Sequence, residues 1–317
     1  MPDQQIVLGT RRSKLALAQA HQVAADLRRH YPDLTVELRE IVTKGDRILD
    51  VALSEVGDKG LFVKEIEVAL ANGEIDFAVH SGKDLPSVTP DGLTLTAFPK
   101  RVDPRDVVIL PESAARPAPG SGLDVLPQGA KVGTSSLRRA CQLKAVRPDL
   151  VLENVRGNVD TRLGKLDSGQ YDAIILAYAG LSRLGLSERA SVLLAPDVML
   201  PAVAQGALII EARSDDSRTL DILSVLNDAD THAAVRAERA FLHRLEGGCQ
   251  VPIAAYAQVT GGDHGHLHGL VGSLDGSTIL RGERDGAVND AETIGRTLAE
   301  ALLDQGAAAI LAEIAQS

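Results

Sequence analysis

The chain has 317 residues and a net charge of −10, so more than one core is expected and a nucleic-acid partner is disfavoured. Aromatic residues are only 3 %, with no Trp, which removes the usual stacking platforms for single strands. No apolar run approaches the roughly 20 residues that span a bilayer, Met1-Pro2-Asp3-Gln4-Gln5 is not a basic-then-apolar leader, and Cys141 and Cys249 make neither a disulfide framework nor a zinc spacing, so the expectation is a cytoplasmic protein with free thiols, no membrane partner and no metal.

Ile6-Val7-Leu8 reads as a strand, turned by Gly9-Thr10-Arg11-Arg12-Ser13. Lys14 to His30 has helical periodicity, with Ala and Leu on one face. Leu34 to Val42 alternates as a second strand. Thr43 to Gly60 reads as a loop with candidate hinges at Gly45, Gly57 and Gly60, suited to a cover over a site. Leu61 to Asn72 reads as a helix and Glu74 to Val79 as a strand, followed by the loop His80-Ser81-Gly82-Lys83-Asp84-Leu85-Pro86. Strands alternating with helices predict a parallel α/β sheet.

The same grammar then recurs. Lys131-Val132-Gly133-Thr134-Ser135-Ser136 is again strand, Gly-Thr and polar turn, with a helix from Leu137. Gly169-Gln170-Tyr171-Asp172-Ala173-Ile174-Ile175 echoes Gly73-Glu74-Ile75-Asp76-Phe77-Ala78-Val79. Two echoes in one order predict two similarly built lobes, with Lys100 to Asp106 between them and Leu200 to Ile210 as a return strand. Arg116 to Gly122, rich in Pro and Gly, reads as a surface loop. After about Asp215, helices at about 216–227 and 230–245 precede strands at about 251–259, 266–273 and 278–284, with helices from about 290 onward. Short Gly-containing turns make those strands antiparallel. The expected division is 1–99 plus 200–220 for lobe one, 100–199 for lobe two, and 221–317 for a C-terminal α+β domain.

Helix N-termini after Gly-Thr turns bind anions, because free N–H groups point outward and the dipole favours negative charge. Two such ends carry arginines here: Arg11 with Arg12 and Ser13, and Arg138 with Arg139. Arg156 and Arg162 flank Gly157-Asn158-Val159-Asp160-Thr161. Taken singly, each is ordinarily a solvated surface residue. Clustered on loops after strands, they predict a ligand with several carboxylates or phosphates, gripped by planar guanidinium groups. Neither a phosphate-loop Lys pattern nor a dinucleotide Gly pattern is present, so nucleotides are disfavoured. Asp84, beside Lys83, is either a turn residue or a carboxylate that faces a cation forming on the ligand. Gly247-Gly248-Cys249 presents a thiol on a tight turn, and Pro252 keeps the preceding helix from resuming. His264, His266 and His268 alternate; a solvated hairpin is the plain reading, adventitious metal binding the other. Cys141 reads as a packed helix residue.

Glu238-Arg239-Ala240-Phe241 with Gly247-Gly248-Cys249-Gln250-Val251-Pro252 resembles the cofactor-attachment signature of the porphobilinogen deaminase family. Further blocks of that family follow in order: Gly9-Thr10-Arg11, Thr43-Lys44-Gly45-Asp46, Lys59-Gly60-Leu61-Phe62, Lys83-Asp84, Asp103-Pro104-Arg105-Asp106, Gly133 to Arg139, Arg156-Gly157-Asn158 with Thr161-Arg162, and Pro201-Ala202-Val203 with Gln205-Gly206-Ala207. The resemblance implies two doubly wound lobes like those of periplasmic binding proteins, plus a C-terminal α+β domain with a three-stranded antiparallel sheet. It implies a transferase of porphyrin and heme biosynthesis, in which four porphobilinogen molecules lose ammonia and join into linear hydroxymethylbilane. The chain grows on a dipyrromethane cofactor held by a thioether, here to Cys249. Asp84 would be catalytic. Arg11, Ser13, Lys83, Ser136, Arg138, Arg139, Arg156 and Arg162 would bind cofactor and substrate, Lys59 and Phe62 would belong to a lid, and the protein would be a monomer. Two positions depart from the family: Gly82 stands where a bulky apolar residue is usual, and Ala204 where a glycine is usual. The competing class is a non-catalytic two-lobed binding module for a small dicarboxylate, which would not need Cys249.

Overall fold

The computed structural model describes residues 5–47, 60, 62–246 and 251–316. The chain begins with β1 (Gln5–Thr10), α1 (Lys14–His30), β2 (Thr35–Glu40), the single turn α2 (Lys44–Arg47), α3 (Lys64–Ala71), β3 (Phe77–Ser81) and β4 (Leu93–Ala97). Next come β5 (Asp106–Ile109), β6 (Lys131–Gly133), α4 (Leu137–Val146), β7 (Val151–Glu153), α5 (Val159–Asp167), β8 (Ala173–Ala177), α6 (Tyr178–Arg183) and β9 (Val192–Leu193). The remainder is β10 (Leu208–Arg213), α7 (Ser217–Ser224), α8 (Ala229–Arg244), β11 (Ile253–Thr260), β12 (His264–Gly272), β13 (Ile279–Ala287), α9 (Ala291–Leu302) and α10 (Ala308–Gln316). The chain divides into two compact units, Met1–Val102 with Ala207–His232, and Asp103–Gly206 with Ala233–Ser317.

The first unit is built on a five-stranded sheet of order β2-β1-β3-β10-β4. β2, β1 and β3 are parallel, as the strand–helix alternation predicts. The sheet as a whole is mixed, not parallel, because β10 runs antiparallel to both β3 and β4. The return strand starts at Leu208 and not at Leu200. Ala204 (φ 56) and Gly206 (φ 86) hold left-handed backbone that no strand accommodates. Helix α1 has the predicted bounds. The Ser13 hydroxyl accepts from Ala16 N at 3.2 Å, Arg28, Arg29 and His30 complement the dipole at its end, and Ala20, Val23, Ala24 and Leu27 are buried. That face packs on Ile6, Leu8 and Phe77 of the sheet. On the other side of the sheet, Ile66, Ala69 and Leu70 of α3 pack on Ile75 and Ala78.

The second unit contains a sheet of order β7-β6-β8-β5-β9 with the same pattern of parallel and antiparallel pairs. The two echoes in the sequence mark one construction used twice. Gly73 and Gly169 end α3 and α5 with positive φ, 71 and 79. Asp76 then accepts from Val7 N, and Asp172 from Lys131 N, each at 2.7 Å, pinning the following strand to its neighbour. A side chain on Gly133 would collide with Ile174 and Tyr171, and one on Gly9 with Ile75, so both strands approach their neighbours too closely for anything larger.

The second unit also holds the antiparallel sheet β11-β12-β13, with β12 in the middle. Gly269 on one face lies against Phe241 of α8 and Leu298 of α9. Ala254, Leu270, Tyr256 and Ile279 pack with Cys141 of α4. Cys141 is therefore a packed residue, and burial pushes its thiol up to about 11. Fully buried Glu238 accepts from Ala204 N at 2.6 Å and from Ala257 N at 2.7 Å, so one carboxylate ties the turn before β10 to β11.

Candidate functional site

In the first unit a hollow lies at the carboxyl ends of β1 and β3, where open α/β sheets bind ligands. Arg11, Ser13, Phe62, His80, Ser81 and Asp84 are among its lining residues. β1 delivers Arg11 and the cap of α1; β3 delivers Ser81 and runs into a 3-10 turn, Gly82–Asp84. The turn is anchored by Gly82 N donating to Ala207 O at 3.0 Å. Gly82 has helical backbone within that turn, so its position makes no demand for positive φ. The Arg11 guanidinium stands 4.1 Å from the centre of the Phe62 ring, a cation–π contact that fixes its plane. Asp84 is exposed at the rim, with Lys83 half-buried beside it. Ser13 lines the hollow while its hydroxyl caps α1.

Under this hollow sits a pair the sequence did not single out. His80 Nε2 lies 2.9 Å from Glu211 Oε2, both side chains almost wholly buried. Glu211 Oε1 has no partner among the described residues. Burial, then the Glu211 carboxylate, push the nearby Glu67 above its ordinary value. The signal was a lone carboxylate inside the apolar run Leu208-Ile209-Ile210-Glu211-Ala212.

In the second unit, Arg138 and Arg139 come from the first turn of α4, as predicted, but both are buried against one carboxylate. Asp106 Oδ2 receives Arg138 Nη1 and Oδ1 receives Arg139 Nη2, each at 2.7 Å. Arg138 Nη1 also donates to Leu200 O at 2.8 Å, and Arg139 Nη1 to Ile175 O at 3.0 Å. Burial alone would raise the Asp106 carboxyl; the two guanidiniums overcome it and hold the group at about 2. Ser136 is the N-cap residue of α4 without a side-chain capping bond. Arg156 is half-buried before Gly157, and Arg162 on α5 donates from Nε to Gly157 O at 2.8 Å. The sequence also passed over Arg183, at the end of α6. Burial pushes it down to about 10, its Nη2 donates to Gly206 O at 2.8 Å, and its Nε has no partner among the described residues. Cys249, Lys59 and most of the predicted Thr43–Gly60 cover lie outside the described residues.

Two family models cover most of the chain. Residues 6–221 match porphobilinogen deaminase, dipyromethane cofactor binding domain, and residues 232–304 match porphobilinogen deaminase, C-terminal domain. The chain is 53 % identical over 309 residues to the porphobilinogen deaminase of Roseiflexus sp. (strain RS-1), covering 98 % of this chain and 99 % of that one. It is 55 % identical over 307 residues to that of Brevibacillus brevis (strain 47), covering 97 % and 96 %. Among solved structures, the methionine binding protein MetQ aligns with a TM-score of 0.44 and 16 % identity, covering 70 % of this chain and 89 % of that one.

Proposed function

The chain belongs to the porphobilinogen deaminase family, and from that premise we propose which of its residues carry the family's chemistry. It is a transferase that condenses four porphobilinogen molecules, with loss of ammonia, into linear hydroxymethylbilane on a covalent dipyrromethane cofactor. The observation that carries the assignment of roles is that Arg11 and Asp84 line one hollow. A guanidinium held on an aromatic face and a carboxylate at the rim suit a ligand that bears carboxylates and passes through a cation, so the residues present fit the dipyrromethane group and its substrate. The cofactor supplies the pyrrole end to which each new ring is joined.

Cys249 holds that group through its sulfur. Arg11, Ser13 and Lys83 in the first unit, and Ser136, Arg138, Arg139, Arg156 and Arg162 in the second, bind acetate and propionate side chains. Asp106 holds Arg138 and Arg139 in one orientation before any ligand arrives, so little ordering is needed on binding. Asp84 faces the azafulvenium cation left when ammonia departs from porphobilinogen, and it accepts the proton lost when two rings couple. Lys59 and Phe62 are assigned to a lid from the family's motif, and Phe62 lining the hollow supports that assignment. The family match favours this reading over a non-catalytic dicarboxylate-binding module.

No helix among the described residues is long and apolar enough to cross a membrane. The reading extends to a cytoplasmic monomer, and its division as 1–99 plus 200–220, 100–199 and 221–317 is supported by three separate sheets. Light scattering checks the monomer, and limited proteolysis checks the division.

The deciding experiment combines intact mass with turnover. Wild type and Cys141→Ser should carry a two-pyrrole adduct, and Cys249→Ser should not. Cofactor-loaded Asp84→Asn should lose at least about 100-fold in turnover, roughly 2.7 kcal/mol. Loaded Asp84→Asn turning over within a few-fold of wild type would make Asp84 a turn residue.

A further inference from the structure

On the C-terminal sheet, four side chains with metal-binding chemistry form a square across two strands. His266 and His268 are two apart on β12 and so share a face. The register places Asp285 directly opposite His266, and Glu283 directly opposite His268. Glu283 Oε2 is 3.7 Å from His266 Nε2 and 3.7 Å from His268 Nδ1. That is too long for hydrogen bonds, so the three atoms converge without binding one another. Around a tetrahedral ion with bonds of about 2.0–2.1 Å, neighbouring ligand atoms sit roughly 3.3–3.4 Å apart, only a few tenths shorter. All three ligand atoms lie within 4.8 Å of one another, and the two imidazoles meet edge to face with centroids 4.3 Å apart.

A second feature orients the set. His266 Nδ1 lies 2.7 Å from Asp285 Oδ1, which leaves the Nε2 lone pair directed at Glu283. A carboxylate behind a histidine, on the nitrogen that does not bind metal, is the usual outer partner of a metal-ligating imidazole. His264 Nε2 also reaches Asp285, at 3.2 Å, so Asp285 is held from two sides. Arg281, the next residue along this face of β13, donates to Gln142 of α4 at 3.5 Å.

We infer that His266, His268 and Glu283 bind one divalent transition ion of the zinc class, with Asp285 as the orienting residue and water completing the shell. Two imidazoles with one carboxylate suit zinc, nickel or copper and are poor ligands for calcium or magnesium. The ligands come from both β12 and β13, so the ion clips the two strands in register and stabilises the folded chain. It is not part of the condensation machinery.

The test uses the cofactor-bearing enzyme, stripped of metal by chelation and dialysed. Micromolar Zn2+ should load to one equivalent by calorimetry, raise the melting temperature, and resist competition by excess Mg2+. Substituted Co2+ should give the absorption of a tetrahedral nitrogen-and-oxygen site. His268→Ala and Glu283→Gln should each weaken Zn2+ at least tenfold, Asp285→Asn should weaken it less, and the double variant His266→Ala/His268→Ala should abolish both binding and the thermal shift with turnover unchanged. Undiminished Zn2+ binding in the double variant would overturn the inference. So would uptake only at millimolar Zn2+, or a Co2+ spectrum with thiolate charge transfer, which would assign the ion to a cysteine.

Discussion

The sheet of the first unit and the larger sheet of the second share their strand order, their turn glycines and their pinning aspartates, yet they bury opposite chemistry. Aligned through their registers, His80 of β3 corresponds to Leu176 of β8, and Glu211 of β10 to Ile109 of β5. The first unit thus keeps a buried acid–base pair where the second has two core hydrophobes. The exchange runs the other way at the start of the antiparallel strand. Asp106 of β5 corresponds to Leu208 of β10, and Arg138 and Arg139, second and third in α4, correspond to Leu15 and Ala16 of α1. Backbone construction is repeated because close approach and capping are demanded by the fold. Interior polar groups are not demanded by it; each must be satisfied locally, and each unit does so at a different place.

The largest expected effect comes from breaking the polar centre of the second unit. Asp106→Asn leaves two buried guanidiniums without their counter-charge and should cost about 3–5 kcal/mol in urea unfolding. The same group makes the fold acid-sensitive. Its carboxyl lies at about 2 in the folded chain against an ordinary 3.8. A depressed folded value contributes stability that is complete above the unfolded value. That contribution, about 2 kcal/mol, is lost as pH falls from roughly 4 to 2. The gap between wild type and Asp106→Asn should narrow over that window.

Next comes the pair in the first unit. Glu211→Ile alone strands the buried His80 and should cost about 1–3 kcal/mol. Making the first unit like the second, with His80→Leu and Glu211→Ile together, should recover that loss or exceed it by about 1–4 kcal/mol. Turnover of the double variant separates the two reasons for keeping the pair. A more stable but slow enzyme means the pair holds the floor of the hollow for function; a stable and fast one means it is dispensable.

The shared close approach is tested by Gly133→Ala, whose Cβ would lie 2.9 Å from Ile174 Cγ2 and 3.1 Å from Tyr171 Cδ1. It should cost about 1–3 kcal/mol. Gly9→Ala meets the end of Ile75, and Ile75→Val removes the methyl in the way. That pair should therefore cost less than the sum of its single variants.

The smallest effect concerns the entrance to the fourth strand of the first sheet. Ala204 occupies left-handed backbone, φ 56, where the family's usual glycine is unstrained. Ala204→Gly relieves about 1–2 kcal/mol of strain and returns about 0.5–1 in unfolded-state entropy, so a net gain of about 0.5–1 kcal/mol is expected in the urea midpoint. No gain would mean that the strain at Ala204 is no larger than the entropy cost of glycine, since the bond from residue 204 N to Glu238 is common to both chains.

Local pattern alone determined most elements here. The bounds of α1, the repeat of Gly-Thr turns and of Gly-x-x-Asp starts, the three C-terminal strands and the family's motifs were all legible, because periodicity and turn chemistry act within a few residues. Asp84 and Arg11 were legible as candidates for the same reason, each standing in the turn after a strand, and the fold brings both to one hollow. What the tertiary structure alone decided is which polar residues meet. Arg138 and Arg139 read as ligand contacts, and only the fold shows that Asp106, 32 residues upstream of Arg138, holds both of them. β10 enters the first sheet antiparallel from more than a hundred residues away, carrying Glu211 to His80 across 131 positions. His266 and Glu283 become one cluster only when β12 and β13 fix their register. Those pairings depend on charge, burial and register between separate elements, which periodicity and turn chemistry within one element do not set.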